Sequence, residues 1–209
     1  MSEARTAILS AIRIGHAGRG KTTGRPDPLP AHPRPQFEQD PVVRFLARLG
    51  ASGATIEQVS RVAETGAALL RYLDAQQMPR VVVTDDVISD AGFAWPAELD
   101  LQQRPARDGD RVSLTGAFAA VAETGSLVLR SGARRPTTLN FLPEHHIVLL
   151  HRAAVVPHFE DAWTKLRATG EALPRTVNII TGPSRTADVE QTIAMGAHGP
   201  RCLHVIFVS

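Results

Sequence analysis

The sequence predicts an α/β protein built on a mostly parallel sheet with helices on both faces. Three observations carry this expectation. Short apolar runs alternate with amphipathic stretches along the chain. The runs Val81–Thr84 and Ser126–Arg130 are short enough for buried strands. The last stretch, residues 176–208, reads as strand, polar turn, short helix, turn and strand, which is a βαβ pattern.

Taken in order, Ser2 can cap a first helix that carries Ala4, Ala7, Ile8, Ala11 and Ile12 at helical spacing to about Ile14. Gly15 to Gln39 reads as linker, with prolines at 26, 28, 30, 33 and 35, so residues 1–39 form an appendage and 40–209 the α/β domain. Asp40-Pro41 starts a helix with Val43, Phe45, Leu46 and Leu49 inward and Gly50 as its stop. A strand is expected at 54–59 and a helix at 62–77 with Ala63, Ala67, Leu70 and Leu73 on one face. Val81–Thr84 is a strand, and Asp85-Asp86 after it cap the helical pattern begun by Val87 and Ile88. Residues 92–110 read as irregular. Ala117–Ala122 reads as a small-residue helical turn before the strand 126–130. The buried run ending at Leu150 is a further strand, and 158–169 a helix with Phe159, Trp163 and Leu166 inward.

Composition narrows the function. The chain has 209 residues, 43% of them hydrophobic and 21% charged, with a net charge of +2, as expected of a globular protein that does not bind nucleic acid. No apolar run approaches the roughly 20 residues of a membrane span, and residues 1–5 lack a signal-peptide core, so the expected location is cytoplasmic. Cys202 is the single cysteine, so this chain alone builds no disulfide and no four-thiolate cluster. Its place at the head of an apolar run suits a buried, inert thiol. Only Lys21 and Lys165 are lysines; the other 21 basic residues are arginines.

One motif misleads. Gly15 to Thr22, GHAGRGKT, satisfies the phosphate-loop pattern, yet that loop needs a strand before it and a helix after it. Here a helical pattern precedes it and a proline-rich coil follows. Six of the eight histidines (145, 146, 151, 158, 198 and 204) fall in the C-terminal part, but no metal-ligand spacing exists, and no metal is expected. His145 and His146, adjacent on a strand, must point to opposite faces.

The expected site lies in Thr181-Gly182-Pro183-Ser184-Arg185-Thr186-Ala187-Asp188. A helix starting near Thr186 would offer unpaired N–H groups and a positive dipole end, with Ser184 or Thr186 as cap, Asp188 complementing the dipole and Arg185 gripping an anion. The alternative is a well-capped helix with Arg185 in a structural ion pair. Glu123, beside Thr124-Gly125 at a strand entrance, suits a nucleophile or base, or a carboxylate satisfied by backbone N–H groups. Parallel order would send the Gly196–Pro200 turn, with His198, to the opposite sheet end from 181–186.

Thr115-Gly116, Ala122-Glu123-Thr124-Gly125, Leu142-Pro143 with His146-Ile147, the 181–188 run, and His198-Gly199-Pro200 with Leu203-His204-Val205 together resemble the LUD-domain family, in its lactate utilization (LutC/YkgG) branch. The resemblance is strong over residues 110–209. It implies a three-layer α/β sandwich similar to the NagB/RpiA/CoA-transferase group. It also implies a component of a bacterial assembly oxidising L-lactate to pyruvate, without a redox centre of its own, beside iron–sulfur subunits that hold the clusters. In that setting the chain would bind a small carboxylate or phosphate, or organise partners. The expected binding residues are Thr115, Gly116, Thr124, Gly125, His146, Thr181, Gly182, Ser184, Arg185, Thr186 and Asp188. The alternative is a stand-alone acyl or CoA transferase, because Glu123-Thr124-Gly125 is similar to the E-x-G step of CoA transferases, which would make Glu123 its nucleophile.

Overall fold

The computed structural model describes residues 3–17, 33–89, 92–187 and 193–209. The chain divides into two compact units, residues 1–34 and 35–209. In the first, helix α1 (Glu3–Ala17) carries the apolar stripe read from its spacing. The Ser2 cap lies outside the described residues. Gly15, His16 and Ala17 belong to the last turn of α1, so the phosphate-loop pattern opens on a helix where its chemistry needs a strand, and the linker begins later than Gly15.

The second unit opens with α2 (Pro41–Ala51). Asp40 accepts hydrogen bonds from the Val42 and Val43 N–H groups at 2.8 and 3.2 Å, and Pro41 occupies the first turn, where its missing donor costs nothing. Phe45 and Leu49 are fully buried, whereas Val43 faces out. The helix passes through Gly50, and the chain reverses at Gly53 instead, whose φ of +93° suits glycine.

Six strands form the central sheet: β1 (Thr55–Val59), β2 (Val81–Thr84), β3 (Asp100–Gln103), β4 (Val112–Gly116), and the strands at His145–His151 and Cys202–Val208. Every pairing in it is parallel. Strand β3 falls inside the stretch expected to be irregular. It sits at the sheet edge with Leu101 its single apolar residue, so it shows no alternation strong enough to announce itself.

Four further strands make a second sheet: β5 (Ala119–Val121), β6 (Ser126–Arg130), β8 (Val155–Val156) and β9 (Val177–Ile180), with β7 being the His145–His151 strand. Its order is β8-β5-β6-β9, with β6 antiparallel to both β5 and β9. Ala117–Ala122 is therefore a turn into a strand and not a helical turn. The alanines allow the second sheet to lie close on the first.

The final unit departs most from expectation. No helix begins at Thr186. Instead β10 (Arg185–Ala187) and β11 (Ile193–Met195) pair as an antiparallel ribbon, with Arg185 opposite Met195. Strand β9 lies in the second sheet, while β12 (Cys202–Val208) enters the central one between β1 and β7, in the order β1-β12-β7-β4-β2-β3. The two apolar runs share no hydrogen bonds, so the βαβ reading fails. Apolarity predicts that a strand is covered, not which sheet covers it.

Alternation divides the core. On one face Val112, Leu114, Ile147, Leu149 and Ile206 pack under α3 (Thr65–Ala75), which buries Ala68, Leu69, Tyr72 and Leu73. Of the expected stripe Leu73 is fully buried and Leu70 packs against this core, whereas Ala63 and Ala67 face solvent and Ala68, Leu69 and Tyr72 take the inward positions. On the other face Val148, Leu150, Val205 and Phe207 meet the second sheet, with Ala120, Leu127 and Leu129, and α2, with Phe45 and Leu49. The second sheet's outer side is closed by α4 (Phe159–Ala168), through Ala162 with Phe159 and Val128. The layers are thus α3, the parallel sheet, and the smaller sheet flanked by helices. Among the described residues, no helix is long and apolar enough to cross a membrane.

Leu69 is fully buried against the central sheet and Leu173 is 72% exposed. Leu69→Ala should lower the unfolding free energy by about 2–5 kcal/mol in urea titration, and Leu173→Ala by less than about 0.5 kcal/mol.

Candidate functional site

Of the residues expected to form a site, those at 124–125 and 181–185 gather at the amino edge of the central sheet. Gly182 packs on Ser52, and the Arg185 guanidinium lies over Gly53, just before β1. The Ser184 N–H donates to the Pro200 carbonyl at 2.9 Å, just before β12. The Ser184 hydroxyl accepts the His198 N–H at 3.3 Å, so the two turns expected at opposite sheet ends meet. They meet because a ribbon connects them where a helix was expected. Thr124, Ser126 and Thr181 form a hydroxyl chain, with oxygens 2.7 and 2.5 Å apart. Gly125, at φ +75°, presses on the Arg48 and Leu49 backbone, where any Cβ would collide at about 2.6 Å. This cluster is welded together by turn packing. The side chain of Thr186 and all of Asp188 lie outside the described residues.

Glu123 stands apart from that chain of hydroxyls. Its N–H donates to the Pro157 carbonyl, and its carboxylate lies 3.5 Å from His158 Nδ1. The His158 ring in turn packs at a tilt against Phe37, which carries the Arg44 guanidinium on its face. His146 is fully buried and shares a 2.8 Å hydrogen bond with Thr115, through Nε2. Burial pushes its pKa down to about 3, so it stays a neutral structural imidazole. His145 points to the opposite face, as alternation requires, and bonds the Tyr72 hydroxyl at 2.8 Å.

A cleft opens at the other edge. The carboxyl ends of β2, β4 and β7 deliver Asp85, Gly116 and His151 to a cavity of about 210 Å³, also lined by Phe118, Arg130 and Lys165. Open parallel sheets bind their ligands off the carboxyl ends of the strands. Among the described residues, Gly116 is the one expected site residue that lines this cavity. Asp85 forms the cleft's hinge: its two oxygens accept the Val87 and Gly116 N–H groups at 2.9 and 3.1 Å. It therefore does cap the short turn Asp86–Ser89, and it ties β2 to β4 as well. Burial raises its pKa to about 6, against the pull of those two donors. Asp86 is held by Arg135 at 2.6 Å and Arg134 at 3.4 Å.

Two cations pack on one aromatic ring. The Arg130 guanidinium carbon lies 4.8 Å, and the Lys165 Nζ 5.4 Å, from the centre of the Phe118 ring. Arg130 reaches Glu171 at 2.8 Å, on an exposed loop. Lys165 has no ion-pair partner among the described residues, and burial holds its pKa below the ordinary lysine range. With Arg135 at the rim, the cleft presents more positive charge than its two aspartates neutralise, which suits a small anion. Sequence reading passed over Arg130, His151 and Lys165. The signal available was Lys165 itself, one of two lysines in a chain of 21 arginines. No group of three or more His, Cys, Asp or Glu among the described residues is arranged to hold a metal.

Residues 110–208 match the family model described as LUD domain. A lactate utilization protein C of Halalkalibacterium halodurans is 28% identical over 88% of this chain and 88% of its own length. A Geobacillus kaustophilus protein of that name is 29% identical over 94% and 92%. An uncharacterized Neisseria meningitidis protein is 31% identical over 72% of this chain and 66% of its own length. Among solved structures, a DUF162 family protein from Deinococcus radiodurans shares the fold, with a TM-score of 0.60 at 24% identity, covering 81% of this chain and 96% of that one.

Two buried histidines govern the acid limb of stability. The pKa values of His146 and His204 fall from 6.5 to about 3 and about 4 on folding, so the unfolded chain takes up protons that the native one refuses as pH drops below 6.5. Asp85 opposes them, because its raised pKa means that native stability falls as pH rises from about 4 to about 6. Two groups outweigh one, and stability should decline on acidification. In His146→Gln the slope of unfolding free energy against pH between 4 and 6 should drop by up to about 1.4 kcal/mol per pH unit.

Proposed function

We propose that this chain, whose residues 110–208 match the LUD domain, serves lactate utilization by holding a small carboxylate in the carboxyl-edge cleft. The observation that carries this reading is the pairing of Arg130 and Lys165 over Phe118 at the strand ends. Guanidinium recognises a carboxylate by paired N–H donors, and the ammonium adds a compact charge. The ring gives the methyl end of a short acid an apolar wall. A cavity of about 210 Å³ favours a ligand of a few heavy atoms. Two relatives that align over most of this chain are named lactate utilization protein C, which supports lactate or its oxidation product as the carboxylate.

In this reading the chain supplies binding and orientation, and partner subunits carry the iron–sulfur clusters. One cysteine in the whole sequence supports that division of labour, since clusters take several thiolates. Gly116 and Asp85 fix the cleft floor, and Glu171 restrains Arg130 from the solvent side. The acyl-transfer alternative through Glu123 draws less support, because its carboxylate faces His158 and does not line the charged cleft.

Calorimetric titration with L-lactate and with pyruvate tests the reading. Arg130→Met should weaken binding by about 10- to 100-fold, the value of a hydrogen-bonded charge pair. Equal affinity in wild type and Arg130→Met, or no binding in either, overturns it. Co-expression with iron–sulfur proteins encoded beside this chain should yield a complex that survives size exclusion, and separate elution counts against the division of labour.

A further inference from the structure

We propose that Lys165 forms a reversible imine with the carbonyl carbon of a 2-oxo acid whose carboxylate is held by Arg130. The inference rests on the carboxylate reading above and goes beyond it by assigning a covalent step and the oxidation state of the ligand.

Four observations converge. Lys165 projects from α4 into the cavity at the carboxyl ends of the parallel strands, so its amine and a bound ligand share one space. The amine and the Arg130 guanidinium both lie over the Phe118 ring and both line the cavity, which puts an anion anchor and a nucleophile around one ring. No carboxylate among the described residues pairs with Lys165, whereas Arg130 and Arg135 both have acidic partners. A lysine with no counter-ion in a partly apolar cavity is more readily found as the free amine, and its pKa is lowered accordingly. The fourth observation is compositional. Arginine supplies 21 of the chain's 23 basic residues, and a charge needed only for attraction is supplied by arginine everywhere else in this domain. What lysine offers, and guanidinium lacks, is a lone pair that becomes available at neutral pH.

The step balances without a further reactant. The amine lone pair forms a C–N bond to the carbonyl carbon, and the carbonyl oxygen takes a proton to give a carbinolamine. The C–O bond then breaks, and oxygen leaves as water, carrying in sum the two amine hydrogens. No oxidant or reductant is consumed, and water reverses the step. A 2-hydroxy acid, with no carbonyl, binds through its carboxylate alone. The imine therefore distinguishes the two redox states of the same carbon skeleton.

Reductive trapping tests this. The full-length protein is incubated with pyruvate and sodium cyanoborohydride, and adducts are mapped by peptide mass spectrometry. The expected result is one reduced pyruvate adduct on Lys165, forming at least about tenfold faster than on Lys21 or the terminal amine, because a positioned nucleophile gains over a free one. L-lactate should give none and should slow trapping by competition. Labelling of Lys165 no faster than Lys21, or none, overturns the imine. Lys165→Arg removes the lone pair that attacks the carbonyl, so the adduct should vanish in it, while calorimetry on the wild type reports carboxylate binding separately from trapping. If wild type binds pyruvate but does not trap, the imine fails and the carboxylate reading stands; if wild type does not bind, the carboxylate reading fails first.

Discussion

Strand β7 is hydrogen-bonded in parallel to β4 on one side and β12 on the other, and the rest of the domain depends on that seam. Its residues alternate, with Ile147 and Leu149 under α3 and Val148 and Leu150 against the second sheet. One strand thus closes both cores, and a slip of a single residue would exchange them. Parallel pairing also sends all six carboxyl ends to one edge, which is why Asp85, Gly116 and His151, far apart in sequence, line one cleft.

The second sheet is what makes that edge a cavity and not an open groove. It is assembled from the connections that leave β4 and β7 at their carboxyl ends, and it folds back over the central sheet. Phe118, entering it, and Arg130, leaving β6, both return to the rim. α4 closes its outer side and contributes Lys165. The meeting of Arg130 and Lys165 over Phe118 therefore draws on three separate segments, none of which carries a motif.

The opposite edge shows how a sequence signal can be real and still mark structure. Gly182, Gly125 and the hydroxyls of Thr124, Ser126 and Thr181 occupy positions where backbone passes close to backbone. Such positions demand particular residue types, and a motif reader sees them as a site. Their demands here come from joining the second sheet to α2 and to the amino ends of β1 and β12. Glu123 belongs to neither cluster and lies against His158.

Local chemistry was legible in the sequence: the Asp40 cap, the strands at 55–59, 81–84 and 126–130, the helix at 159–168, the split of His145 and His146 to opposite faces, and the absence of a strand before Gly15. These follow from periodicity, capping and steric rules that act over a few residues, and a resemblance carried by several short motifs named the LUD domain. Tertiary structure alone decided which sheet receives each strand, that 185–195 pairs as a ribbon, and that Arg130 and Lys165 meet over Phe118. Those outcomes are contacts between residues 6 to 47 positions apart or set by partners in other sheets, and their free energy lies in burial and pairing that local propensity does not report.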